Sequence, residues 1–342
     1  MSESRLDVPL DDYAGFCRWL TGRAPQSGWT VPRSPLARGR ALTVSVSQLD
    51  PQQIALLATE THLSLPALDA LQDGDVLGLI CGALRDLTVR CTSPRAALLA
   101  PLAGHLDTLT LLGTRELDGD SAQALLAGRA RVSFAQTERL TLPMARVMCA
   151  THGGQPLLLE GVQQFGPEAE ALLAAHGAPV RFSGVPLLTH SMARVLVATH
   201  PDEPVQVADV PRLGAGAQAL LEQSATPVLF HDTAVLDAPM AAVLAATARG
   251  LEVDLWGLQS LASGAVRQLL DARLRVRFHG VSELGRGMAQ VLASAWPGKV
   301  LALRAVDRVA PAARRVLDQA GVRLLGDEVP DRPEPLPQRS RW

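Results

Sequence analysis

The residues best equipped for chemistry lie in the second half of the chain and recur at a regular interval. His231, Trp256, His279 and Arg304 follow one another at steps of 25, 23 and 25 residues. Asp254 and Arg277 stand two residues before Trp256 and His279. Arg181 holds the same place as Asp254 and Arg277 in an earlier step. These residue types suit recognition. An indole stacks a cation or a flat ring on its face, and an exposed Trp flanked by Arg and His has the composition of a protein-contact anchor.

Catalytic groupings are not found. The sequence holds no glycine-rich phosphate loop, no H-E-x-x-H and no G-x-S-x-G. His231 and Asp232 are adjacent, but neighbours on a strand point to opposite faces, so they do not form a dyad. His152 and His200 lie 48 residues apart at expected helix C-termini, where a cationic imidazole suits the helix dipole. They are too far apart for one metal ion. The cysteines Cys17, Cys81, Cys91 and Cys149 form no C-x-x-C pair and read as thiols in a reducing compartment. The expectation is no catalytic residue, no metal site and no cofactor.

What positions those residues is a repeat. Arg131-Val-Ser-Phe134, Val180-Arg-Phe182, Val228-Leu-Phe230 and Val276-Arg-Phe278 align 48 residues apart, and Met144, Met192, Met240 and Met288 keep the same interval. Segments ending at Leu159, Val207, Leu255 and Leu303 fall between them, so the unit is about 24 residues in alternating steps of 25 and 23. Each unit opens on an apolar–x–apolar strand, whose alternation puts both apolar side chains on one face. Three residues past the strand anchor comes Val, Thr or Leu. Six past it runs an apolar column from Leu117 to Val309, and fourteen past it another from Leu125 to Leu317. The second half of each unit has apolar residues at i, i+3 and i+4, the stripe of a helix. Ten past the anchor, Met and Ala alternate, large knob against small. Glycine follows several strands (Gly113, Gly161, Gly184, Gly257, Gly280), where the chain must turn sharply.

A unit of strand, turn and short helix cannot bury its apolar face alone. Stacked copies place the strands side by side with helices on the other face. The pattern is similar to the leucine-rich-repeat superfamily, in a bacterial short-unit form of 23–24 residues, over roughly residues 42 to 325. The resemblance implies an α/β solenoid of leucine-rich-type repeats, a parallel sheet on one face and short helices on the other. One departure stands out. The usual asparagine three residues after the second strand leucine is replaced by Val or Thr, so the turn must satisfy its backbone groups differently.

The expected organisation is an N-terminal helical cap at 1–41, degenerate repeats at 42–108, regular repeats at 109–325 and a disordered tail at 326–342. The cap rests on Tyr13, Phe16, Trp19 and Leu20 at helical spacing, and a helix is expected at 51–62 behind the N-cap Asp50. A net charge of −2 gives no global attraction to nucleic acid or an anionic membrane, and no run of 18 apolar residues spans a bilayer. The N-terminus lacks the apolar run of a cleaved signal peptide. Cytoplasmic residence is expected, with export without a cleaved signal as the alternative. Lys299 is the only lysine, which fits GC-rich coding or avoidance of lysine modification in a host cell. The functional expectation is a non-catalytic scaffold that binds an unidentified protein on the concave sheet face, through Arg181, His231, Asp254, Trp256, Arg277, His279 and Arg304. The alternatives are a self-associating structural module and a host-directed effector on the same frame.

Overall fold

The structure, a computed structural model, describes residues 8–9, 42–45, 57, 61–65 and 83–325. The expected aromatic cap helix, the helix at 51–62 and the tail lie outside these residues, save for Leu57, which is helical and buried. The fold is mixed α/β with parallel strands, and ten helices fall among the described residues.

The chain divides into two compact units, Met1–Val185 with Arg194–His200, and Pro186–Ala193 with Pro201–Trp342. In the first, six parallel strands pair in chain order: Val8–Pro9, Leu42–Ser45, His62–Leu65, Asp86–Arg90, Thr108–Leu112 and Arg131–Ala135. Val8–Pro9 is thus a strand within the segment expected to be a helical cap. Leu157–Glu160 then pairs with Val180–Ser183. In the second unit Val205–Ala208 pairs with Val228–His231, Glu252–Trp256 with Arg275–His279, and Val300–Ala302 with Arg323–Leu325. The registers join anchor to anchor: Leu111 with Phe134, Leu159 with Phe182, Val207 with Phe230, Leu255 with Phe278.

The columns form the core. All nine residues fourteen past the anchor, Leu125 to Leu317, are buried, and so are the alternating Met and Ala residues ten past it. The alternation is structural. The Met-bearing helices bury four or more side chains, such as Met144, Ala145, Val147 and Met148 in Leu142–His152. The Ala-bearing helices bury two, such as Ala265 and Leu269 in Ser263–Asp271. From Leu140 onward the column six past the anchor alternates as well: Leu140, Leu188, Leu236 and Leu284 are buried, whereas Phe165, Leu213, Leu261 and Val309 are half-buried. Each buried member pairs with the half-buried one that follows it, through a short second parallel bridge.

The turn after the strand explains how the chain manages without the asparagine. The residue two past the anchor has positive φ in all nine repeats: Gly113, Gln136, Gly161, Gly184, Asp209, Asp232, Gly257, Gly280 and Ala305. Five of the nine are glycine, for which this conformation carries no Cβ penalty. The left-handed residue aims its N–H along the stacking direction. Gly113 donates to Ala135 C=O at 2.9 Å, Gln136 to Glu160 at 2.8 Å, Asp232 to Trp256 at 2.8 Å and Gly257 to His279 at 3.0 Å. Backbone bonds between successive repeats thus replace the side-chain ladder, and the next residue is free to be apolar. Where it is threonine it is buried: Thr114 donates to Cys91 C=O at 2.7 Å, while Thr137 and Thr233 reach back two residues within their own repeat.

A further tie was not anticipated from the sequence. Thr151, Thr199 and Thr247 end their helices 48 residues apart. Each accepts a hydrogen bond from the first core N–H of its own strand, Val132, Val180 and Val228, at 3.1–3.2 Å, and donates to the helix carbonyl four residues back.

Candidate functional site

Strand alternation turns Val253, Leu255, Val276 and Phe278 into the core and leaves Asp254, Trp256, Arg277 and His279 on the opposite side. The register sets Asp254 beside Arg277 and Trp256 beside His279. The side chains use that register. Arg277 donates its Nε–H to Asp254 Oδ1 at 2.8 Å, and its Nη2 reaches both Asp254 Oδ2 at 3.5 Å and Glu252 Oε2 at 3.6 Å. Arg275 approaches the same Glu252 at 3.8 Å.

The Trp256 and His279 rings stack with centroids 4.6 Å apart and planes 26° apart. His279 is placed differently from expectation. It is 4% exposed, a buried member of the face rather than an open contact residue. Its Nδ1 accepts the Arg304 N–H at 2.9 Å. That fixes the tautomer: Nε2 carries the proton and donates to Asp254 Oδ1 at 3.3 Å. Burial pushes the His279 pKa below 6.5, with Arg277 and Arg304 acting in the same direction and Asp254 opposing. Trp256 is half-buried because His279 covers one face of its ring. Arg304 contributes its backbone to the lock, while its side chain is exposed.

His231 lies on the neighbouring strand, where Asp232 N–H bonds to Trp256 C=O at 2.8 Å. Burial pushes its pKa down. Arg181 belongs to the first unit and is half-buried on Val180–Ser183, so it is not grouped with the cluster of the second unit. Leu112 and Ala135, in the outward column of the first unit, are buried as well. His152 at its helix C-terminus departs from expectation: its ring bonds Met148 C=O at 3.0 Å, but burial pushes its pKa down and favours the neutral form.

Trp296 was missed. Its indole N–H donates to Val276 C=O at 3.1 Å, and the guanidinium carbons of Arg275 and Arg277 lie 5.7 and 6.0 Å from its ring. A signal existed. The threonine column at 151, 199 and 247 continues to Ala295, and the tie to the strand passes to the tryptophan after it. Among the described residues no three or more His, Cys, Asp or Glu are grouped to hold a metal ion, and no helix is long and apolar enough to cross a membrane. The arrangement presents a half-buried indole and, on the same side of the strands, the exposed guanidinium of Arg304, groups suited to a flat or cationic group and to a carboxylate respectively.

No family model matches the chain, and no curated protein matches it. A solved structure similar to it comes from a crystal of the complex of Rad7 and Elc1 in yeast. The matched chain is 15% identical, with 84% of this chain and 81% of that one covered and a TM-score of 0.44.

Proposed function

We propose that this chain is a non-catalytic protein-interaction scaffold, a solenoid of leucine-rich-type repeats whose partner docks on the outward face of the strands around Trp256. The observation that carries the reading is the fixed ladder of Trp256 on His279, with His279 held by Asp254 and by the Arg304 N–H. Side chains held in place before contact lose little freedom on binding, which favours affinity. A half-buried indole beside guanidinium groups is the usual composition of an interface anchor. Cytoplasmic residence and the absence of a catalytic step belong to the same reading.

The test is affinity capture from native lysate with mass spectrometry, comparing the wild type with Trp256→Ala, Arg277→Glu, Arg304→Glu. Circular dichroism establishes that the variant folds. The expected outcome is a protein held by the wild type and lost from the variant. Equal captures by both would remove this face from the reading.

A further inference from the structure

The last two strands carry a second surface that does not involve Trp256. Arg323–Leu325 pairs on one side with Val300–Ala302, and among the described residues no strand pairs on its other side. Arg323 N–H donates to Lys299 C=O at 2.9 Å, so alternation along the strand aims the Leu324 N–H and C=O at the open edge. A groove of about 210 Å³ opens at this edge, lined by Val309, Leu317, Val322 and Leu324 and by the charged Arg314, Asp318 and Arg323. Small-molecule pockets run to about 300–1,000 Å³, so the groove suits one or two side chains of a polypeptide.

The outward side of the same two strands holds Val300 and Leu325, 55% and 62% exposed, the most exposed large apolar side chains among the described residues. Lys299, Arg304 and Arg323 lie in or next to the same strands and are exposed. The adjoining strands supply a contrast. There Arg275 and Arg277 face Glu252 and Asp254. Lys299, Arg304 and Arg323 make no ion pair among the described residues.

We propose that this edge binds an acidic, extended peptide segment of a partner protein. The segment adds a strand to Arg323–Leu325 through the backbone groups of Leu324. One of its apolar side chains enters the groove, and its carboxylates meet Arg323, Arg304 and Lys299. A second copy of this chain fits less well, because a two-fold pairing of the edge would bring the same unpaired cations toward one another. A nucleic acid would satisfy the cations but has no backbone donors and acceptors spaced for a strand edge. The surface shares Arg304 with the Trp256 ladder but does not use Trp256 or His279, and the inference holds whether or not that ladder binds a partner.

The test is fluorescence anisotropy of the full chain with a labelled peptide of about six residues, a usual strand length, alternating Glu and Leu. The expected result is saturable binding that weakens with salt. It should fall at least about tenfold in Lys299→Glu, Arg323→Glu and should be unchanged in Trp256→Ala. A peptide with proline at the pairing positions should not bind, since proline cannot donate to a ladder. Absence of saturable binding, equal binding by the charge-reversed variant, or equal binding of the proline peptide would each overturn the proposal. So would displacement of the peptide by poly-uridine at lower concentration than by unlabelled peptide, which would point to nucleic acid. Sedimentation that showed a dimer dissolved by Arg323→Glu would overturn it in favour of a second copy.

Discussion

The strands Glu252–Trp256 and Arg275–His279 present two sides that obey different rules. On the helix side, Val253, Leu255, Val276 and Phe278 each lie against the same column of the next repeat, so the fit at one position depends on its neighbours. On the outward side, Glu252, Asp254 and Trp256 pair with Arg275, Arg277 and His279, and no position keeps its residue type from one strand to the next. The inner side sets the period of the sequence, and the outer side is released from it. The turn forms a third case, fixed by backbone conformation, since all nine repeats put a left-handed residue there with or without glycine.

The contrast is tested first by placing a charge on the inner side. Leu244 and Leu196 are fully buried in the strictest column. Leu244→Asp or Leu196→Asp strands a carboxylate without a partner and should cost at least about 3 kcal/mol. Urea unfolding followed by circular dichroism measures it. A loss below about 1 kcal/mol would mean the column is not core.

The turn should come next. Gly257 has φ +71°, and an added Cβ would fall 2.8 Å from Asp232 Cα. Gly257→Ala should therefore cost about 2 kcal/mol or more. Ala305 takes φ +53° at the same place in its repeat with a Cβ already present. Ala305→Gly should accordingly raise stability by up to about 1 kcal/mol. Opposite signs at equivalent positions would establish that the backbone, not the side chain, is constrained there; equal signs would remove the argument.

The outward side should respond to pH more than to truncation. The folded pKa of His279 lies below 6.5, chiefly through burial. The unfolded chain therefore takes up the proton first. The stability held by neutral His279 is complete above about pH 6.5 and is lost as pH falls through the folded value. His231 and His152 shift in the same direction. Urea midpoints should be lower at about pH 5.5 than at about pH 7.5, with a shallower dependence in His279→Gln. An unchanged slope in that variant would show that His279 is not among the groups responsible.

The repeat was readable because stacking forces like residues into columns: anchors, Leu125 to Leu317 and the Met–Ala alternation all recur at fixed intervals. The positive-φ turn was half readable, through its five glycines. Gln136, Asp209, Asp232 and Ala305 gave no sign, because none is glycine; the first three show their constraint only in the bond each donates to the next repeat. Asp254 beside Arg277 followed from register alone. The burial of His279 did not, since it depends on where a neighbouring indole comes to rest. Trp296 was hidden for a related reason. It reaches the strand from a helix end, and pattern along one element does not report contacts between two.

Arg304 gives the smallest expected effect and divides side chain from backbone. Its N–H holds His279 Nδ1 at 2.9 Å, while its side chain is exposed and unpaired among the described residues. Arg304→Ala keeps the N–H and removes only the guanidinium. Thermal unfolding should change by no more than about 0.5 kcal/mol, the usual range for such surface sites. A larger loss would mean that the guanidinium braces the Trp256–His279 stack, so that the outward side shares the structural burden carried by the inner one. An unchanged melt leaves the cation free for a partner, and the share of Arg304 in the lock on His279 is then the work of its backbone N–H alone.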